Sequence, residues 1–351
     1  MQYKPNEKLL QPLIEALEEK RQTHFKFRQA TRKLYWLPSG LFILCVLLSF
    51  VYEIPVLLCF MFCFCLVLFI KFKKVDSYGE AYNQIYKETF VKPFVQIFYP
   101  KVTYLPGKFT TSNNMQASFL YESLGSKQWL SCEDGFRGKT AEGLGFTIME
   151  VSYRVEVHGK METKRELFVS IELPNKGYRP VVVAPGSMMK YVLERYNEKE
   201  LSPSELETEN EEPIVEQTGF EGYLEDKYAV YSQQEEDAKA LLTTPFLALI
   251  QRLGKQWTEG IRFSFVEDVL HIALPPQQNF FEGDLEQAVL ADTVGEKLYR
   301  ELSVYLSTVE ELSASLNQIK LPSKERIPLP KDLDSSNRNW DDSAYDHFID
   351  N

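Results

Sequence analysis

The sequence predicts an α+β protein, built as a two-helix transmembrane hairpin followed by a cytoplasmic antiparallel-sheet domain with packed helices and a long C-terminal helix. Three observations predict it. Residues 34–72 carry only Glu53 and Lys71 as charges, residues 149–173 alternate apolar and polar side chains, and residues 298–319 repeat apolar side chains at spacings of four and three. The first pattern suits lipid, the second a half-buried strand pair, and the third a helix with one apolar seam.

The division that follows is 1–33, an N-terminal amphipathic helix; 34–72, the hairpin; 73–321, a cytoplasmic α+β domain with an acidic loop at 201–219; and 322–351, an acidic tail expected to be disordered. In the first segment Leu9, Leu10, Leu13, Ile14 and Leu17 recur at helical spacing, with Pro12 expected in the first turn. Such a stripe either packs on the soluble domain or a copy of itself, or lies in the membrane interface. The composition favours packing.

A bilayer core needs about 20 apolar helical residues. Leu34 to Tyr52 and Ile54 to Phe72 each supply that length, with Glu53-Ile54-Pro55 as the turn. Lys20, Arg21, Lys26, Arg28, Arg32 and Lys33 precede the first span and Lys71, Lys73 and Lys74 follow the second, while the turn has no basic residue. Basic flanks stay on the cytoplasmic side, so both termini are expected there, in a multi-pass membrane protein with membrane lipid as a partner. Cys45, Cys59, Cys63 and Cys65 lie in the spans and read as small apolar fillers; Cys132 is alone in the soluble part, so no disulfide framework is expected.

Tyr78 to Tyr99 reads as a helix kinked near Pro93 and stopped by Pro100. Met149, Val151, Tyr153, Val155 and Val157 then alternate with polar residues. Leu167, Val169, Ile171 and Leu173 repeat the pattern across a turn at Gly159-Lys160, and Pro180 to Val183 offers a further strand. An antiparallel sheet with one wet face follows. Leu201 to Gly219 is too polar to offset the entropy of ordering and reads as a flexible loop. Tyr228 to Tyr231 is strand-like, and Ser232 with Glu235 forms a capping-box pattern. Thr244-Pro245 restarts a helix that Gly254 is expected to end, and Ile261 to Leu274 reads as a second hairpin turning near Glu267-Asp268.

The last helix carries Leu298, Leu302, Tyr305, Val309, Leu312, Leu316 and Ile319. This is either a self-association seam, making a homo-oligomer, or one long helix laid on the sheet. Trp340, Tyr345, Phe348 and Ile349 in the tail read as a docking peptide or as part of a merely soluble end.

The chemistry on offer is sparse. From position 75 onward there are 28 basic against 45 acidic residues, which excludes nucleic acid as a partner. Gly138-Lys139-Thr140 has the ending of a phosphate-binding loop, yet Glu133 stands where the first glycine is needed, so a loop feeding a hairpin is the better reading. His24, His158, His271 and His347 show no metal-ligand spacing, and His158 and His271 are expected to face solvent. Cys132 lacks the positive neighbours that activate a thiol. No catalytic residue, cofactor or metal is expected.

The order of features resembles the DUF3137 family of bacterial two-span membrane proteins of unknown function. Three stretches carry the resemblance. The first is the basic helix, the apolar hairpin and the following helix ending at Phe98-Tyr99-Pro100. The second is Glu133-Asp134-Gly135-Phe136-Arg137-Gly138-Lys139-Thr140 with the strand at Met149 and Val181-Val182-Val183-Ala184-Pro185. The third runs from Phe220 through Tyr228-Ala229-Val230-Tyr231-Ser232, Thr244-Pro245 and Phe263-Ser264-Phe265 to Phe281-Glu282. The resemblance implies an inner-membrane protein, and a LemA-like membrane protein as a partner, because some members are encoded beside one. It supplies no activity. The expectation is a membrane-anchored interaction or scaffold protein, with a membrane-associated enzyme or small-ligand sensor as the alternative. Transport is the weakest reading, since the spans offer no ion path unless many copies assemble.

Overall fold

A computed structural model describes residues 7–52, 78–109, 115, 118–121, 130–157, 160–174, 178–185, 214–220, 224, 227–257, 260–275, 281–290 and 294–317, with the backbone alone at 32–52, 108–109, 130, 155–157 and 178. Two compact units share the chain. The first comprises Met1–Ser112, Ser126–Ile171 and Ala273–Ser315, and the second Asn113–Gly125, Glu172–Ile272 and Leu316–Asn351.

The first unit begins with α1, Glu7–Tyr52, one helix of 46 residues. It joins the amphipathic segment to the first predicted span without a break at position 33, and Pro12 is its sixth residue rather than part of its first turn. Leu10, Ile14, Leu17 and Arg21 are buried along one stripe while Leu9 is 49% exposed. The stripe is held by the chain itself: a side chain at Gly295 would collide with Leu10 Cδ2. Packing on the domain is therefore the outcome. Among the described residues no helix is long and apolar enough to cross a membrane. The second predicted span and its turn lie outside the described residues.

Helix α2 occupies 78–98 and contains a π turn at Lys87–Val91 ahead of the α-helical Lys92–Phe98. The predicted kink at Pro93 takes this form because proline lacks an N–H and its ring crowds the carbonyl four residues back. The Lys92 amide donates to Lys87 O, five residues back. Tyr99 follows the last turn and Pro100 lies in the bend beyond it, as the sequence predicts.

Four antiparallel strands complete the sheet of this unit, in the order β1 (Val102–Phe109), β2 (Leu130–Lys139), β3 (Gly145–Val157) and β4 (Lys160–Glu172). Between β2 and β3 the Thr140 amide donates to Leu144 O and the Gly143 amide to Thr140 O, with Gly143 at φ +84. Gly138-Lys139-Thr140 is thus the entry to a hairpin turn. Leu167, Val169 and Ile171 are buried as their period predicts, and so are Phe168 and Ser170 between them, which leaves no wet face there.

In the second unit the order is β9 (Val269–Leu274), β8 (Arg262–Glu267), β5 (Tyr178–Pro185), β7 (Tyr228–Ser232) and β6 (Val215–Gln217). β6 corrects the expected loop at its end: Val215, Glu216 and Gln217 pair with Ser232, Tyr231 and Val230, since a sheet edge supplies the backbone partners a polar segment cannot find alone. The rest of 201–213 lies outside the described residues. Both strands of the second hairpin are buried throughout, and His271, expected in solvent, is only 6% exposed. The alternation there reflects two covered faces. His158 lies outside the described residues.

Helices α3 (Glu235–Leu241) and α4 (Thr244–Gln256) belong to the second unit. Gln234 is the N-cap of α3 and no side chain caps it; the Ser232 hydroxyl instead donates to Gln234 O at 2.7 Å. Ser232 belongs to the end of β7, so the capping-box expectation is corrected. α4 opens at Thr244-Pro245 as predicted but runs past Gly254, whose role is closeness: a Cβ there would lie 2.8 Å from the Tyr228 hydroxyl oxygen. Phe246 packs edge-on against Phe265, with ring centroids 5.4 Å apart.

The C-terminal helix α5 spans Glu296–Asn317. Leu298, Leu302, Tyr305, Val309, Leu312 and Leu316 are each 3% exposed or less within the single chain, while Ile319 lies outside the described residues. The seam is already filled by the protein's own core, each buried side chain contributing about 1.5–3 kcal/mol. The helix is also tied down by polar contacts: Thr140 Oγ1 lies 2.8 Å from Ser313 Oγ, and the Ala141 amide donates to Glu310 at 2.9 Å. The tail after Pro322 lies outside the described residues.

Candidate functional site

The most unusual chemistry lies in the first unit, where β2 changes register. Cys132 pairs with Val151 of β3 and Gly135 with Met149, so Glu133 and Asp134 together face Glu150. Two residues against one is a β-bulge, a device that re-aims side chains. The edge strand β1 also shifts register between Pro106 and Phe109, opposite Asp134 and Cys132. As a result Asp134 points inward, 1% exposed.

Both of its oxygens are satisfied. Lys87, the first residue of the π turn, brings Nζ to 2.7 Å from Asp134 Oδ2, and the Tyr104 hydroxyl donates to Oδ1 at 2.5 Å. Phe136 and Phe281 wall this pair, with ring centroids 5.0 Å apart, and Tyr104 stacks obliquely on Phe136 at 5.2 Å. Burial pushes the Asp134 carboxyl above its ordinary range, and the Lys87 ammonium and Tyr104 hydroxyl oppose the rise. Burial and the adjoining carboxylate raise Tyr104 as well, so its hydroxyl stays a donor.

Two further carboxyls sit half-buried nearby. Burial pushes Glu150 up to about 7, with Asp134 and Glu133 adding like charge and Arg165 opposing. On α5, burial pushes Glu301 up to about 7 against Lys297 and Arg300. Its Oε2 is buried without a hydrogen-bond partner. Tyr305, one turn along α5, feels both Glu301 and Glu150 and is raised by burial first. Strand, bulge and helix thus bring three carboxyls and several phenols into one polar interior. Among the described residues no group of three His, Cys, Asp or Glu side chains is placed to hold a metal.

The neighbouring cleft is small. Tyr82, Tyr86, Gly283, Asp284, Lys297 and Leu298 are among the residues around about 120 Å³. Ordinary small-molecule sites measure roughly 300–1,000 Å³. Glu150 and Glu301 do not line it. One wall is fastened to α1 by a charged latch: Arg21 donates to both oxygens of Glu18 at 2.7 Å and to Leu285 O at 2.9 Å, and the Val289 amide donates to Glu18 at 2.9 Å. The Arg21 guanidinium beside it holds the Glu18 carboxyl down at about 2.

From the sequence alone Glu133 and Asp134 belong to a stretch that carries the family resemblance, with no site role for them, for Lys87 or for Tyr104. The predicted self-association residues on α5 are core, Cys132 is buried beside the bulge, and His271 belongs to the second unit. One signal for Asp134 was present: it lies two positions from Phe136, in phase with an inward apolar residue.

Comparison with known proteins gives a match to one family model over part of the chain and little else. Residues 167–314 match the family model DUF3137, described as a protein of unknown function. No curated protein matches the chain in sequence. A solved structure, the crystal structure of the mycobacterial trehalose monomycolate transport factor A, TtfA, aligns with a TM-score of 0.33 and 8% identity over 70% of this chain and 98% of that one, too distant to carry fold or function across.

Proposed function

We propose that this chain, a DUF3137 protein through residues 167–314, is a membrane-anchored interaction module whose α+β body binds another protein at the inner face of the cytoplasmic membrane. The observation that carries the reading is the pair of apolar stretches at 34–52 and 54–72 with basic residues on both outer flanks and none in the turn. Both termini are then cytoplasmic. Supporting it, α1 runs unbroken from the latch on the body to Tyr52, so anchor and body share one helix. A cleft of about 120 Å³ also suits a few waters better than a metabolite. A LemA-like membrane protein is the first candidate partner, on the strength of the family resemblance.

The test is crosslinking and pull-down of the full chain from detergent extracts, with proteolysis of inside-out vesicles for topology. A specific co-purifying protein and a cleavable body are expected. Recovery of a bare monomer, or a body protected from protease, overturns the reading. A second reading, a proton-handling enzyme or sensor, is favoured by one observation, the carboxyls of Glu150 and Glu301 held near neutrality. A ligand that shifts the titration of either carboxyl would support it.

A further inference from the structure

The β3–β4 ladder has two unlike halves. From Leu167 to Ile171 every side chain of β4 is buried, and from Lys160 to Arg165 every one is exposed. The register nevertheless continues unbroken to Val157 opposite Lys160. β2 ends at Leu130 opposite Tyr153, so beyond Tyr153 and Lys164 the ladder is a two-stranded arm that leaves the body, and an isolated hairpin of that kind is marginal in water. Its composition differs from the rest of the domain. Arg154, Lys160, Lys164 and Arg165 stand against Glu156 and Glu162, in a soluble part that otherwise carries a large acidic excess. Near the tip Met161 is 53% exposed beside Lys160.

The direction of the arm follows from contacts within the first unit. α2 ends at Phe98, the Val102 amide donates to Tyr99 O, and β1 starts at Val102. Eleven residues back along α2, Lys87 meets Asp134, which pairs with Pro106, four residues forward along β1. β1 therefore runs back along α2 towards residue 78, the side on which the predicted second span enters. The arm extends the same way, because Val102, Gly138 and Phe146 share one level and Phe109, Cys132 and Val151 the next. At about 3.3 Å per strand residue, Phe146 to Val157 covers roughly 36 Å, and at about 1.5 Å per helical residue α2 covers roughly 30 Å. The tip thus reaches the level at which α2 begins.

We propose that the β3–β4 arm is a membrane-contact element, with Lys160, Lys164, Arg165 and Arg154 meeting anionic lipid headgroups and Met161 entering the interface. This rests on the proposed anchoring and adds to it a second point of contact that fixes the body's orientation on the bilayer. The acidic remainder is repelled from the same surface, so the arm is the part of the domain whose charge suits it.

The test is amide hydrogen exchange of the full chain in nanodiscs of phosphatidylcholine alone and with phosphatidylglycerol added. Amides of 153–165 are expected to exchange about five-fold more slowly with the anionic lipid, the effect of about one surface-proximal cation. The turn at 140–144, at the other end of the ladder, is expected to be unchanged. High salt and the triple variant Lys160→Glu, Lys164→Glu, Arg165→Glu remove the difference, and unchanged exchange in the buried half of β4 reports that the variant is folded. Equal exchange in the two lipids, in a chain that floats with vesicles, overturns the arm contact alone. A chain that floats with neither composition overturns the anchor and the arm contact together.

Discussion

The two units solve burial in different ways. Around α4 and β8 the interior is aromatic: Phe246 sits against Phe263 and Phe265, all 0% exposed, with Trp257 at 2%. At the bulge of β2 the first unit buries a carboxylate, an ammonium and a phenol as one hydrogen-bonded set. A close-packed apolar core tolerates swaps of similar volume. A buried ion pair contributes little net stability against a hydrophobic pair of the same shape, yet breaking it is costly, because the survivor is left charged and dry. Retaining it points to a constraint on geometry, here the register between α2 and the bulge.

The largest effects test that contrast directly. Asp134→Ala is expected to destabilise the protein by about 3–5 kcal/mol, by stranding the Lys87 ammonium. Phe246→Ala is expected to cost a similar amount, about 3–5 kcal/mol, through a cavity. Rescue separates them. The double variant Lys87→Met, Asp134→Leu should regain much of the loss in denaturant unfolding, as no charge is then stranded and only the Tyr104 hydroxyl is left without its acceptor. A double variant as unstable as Asp134→Ala would mean that the pair supplies stability beyond mutual neutralisation.

The next effect is one of pH. Glu150 and Glu301 have folded pKa values raised to about 7 from an ordinary 4.5, so the folded state binds protons more tightly than the unfolded chain. Below pH 4.5 neither carboxyl costs anything. Between pH 4.5 and 7 each increasingly opposes folding, and above pH 7 the cost is constant, on the order of 1–3 kcal/mol for each group. Glu301→Gln is expected to flatten this fall and to raise stability at pH 8 relative to the parent, with little change at pH 4.5. Unfolding curves at the two pH values check it. An equal shift at both would show that Glu301 is not ionising between them.

How much of this the sequence carries depends on whether a side chain obeys its element's period. β3, β4, β7, α4, the second hairpin and α5 all follow apolar periods of two or between three and four, and each is visible. β1 is not, because Pro106 and Gly107 punctuate it; an edge strand accepts them since the proline's missing donor faces away from the ladder. β2 is hidden by Glu133-Asp134-Gly135, where the bulge breaks alternation and acidic residues read as solvated. Glu150 reads as outward for the same reason, although the doubled residues across from it bury it by half. Lys87 reads as one of many helix-surface lysines. Pro93 announced an irregular helix, but which residue the irregularity would redirect is fixed by β2, more than forty positions away.

That coupling yields the smallest and most specific effect. Replacing Pro93 with alanine restores a backbone donor at position 93 and removes the ring that crowds the carbonyl of Thr89, so the π turn at Lys87–Val91 loses its local cause and can close to α-helical spacing. Closing it rotates the preceding turn by one residue relative to Phe94, which is fixed in the core at 0% exposure. Lys87 then swings away from Asp134. The gain in helix propensity offsets much of the loss, so the net change is expected to stay within about 1 kcal/mol. In the Lys87→Met, Asp134→Leu background no ion pair remains to be lost, and Pro93→Ala should be more favourable by about 0.5–1 kcal/mol than in the parent, a coupling a double-mutant cycle resolves. Equal effects in the two backgrounds would mean that the π turn does not aim Lys87 and that the bulge positions the pair alone.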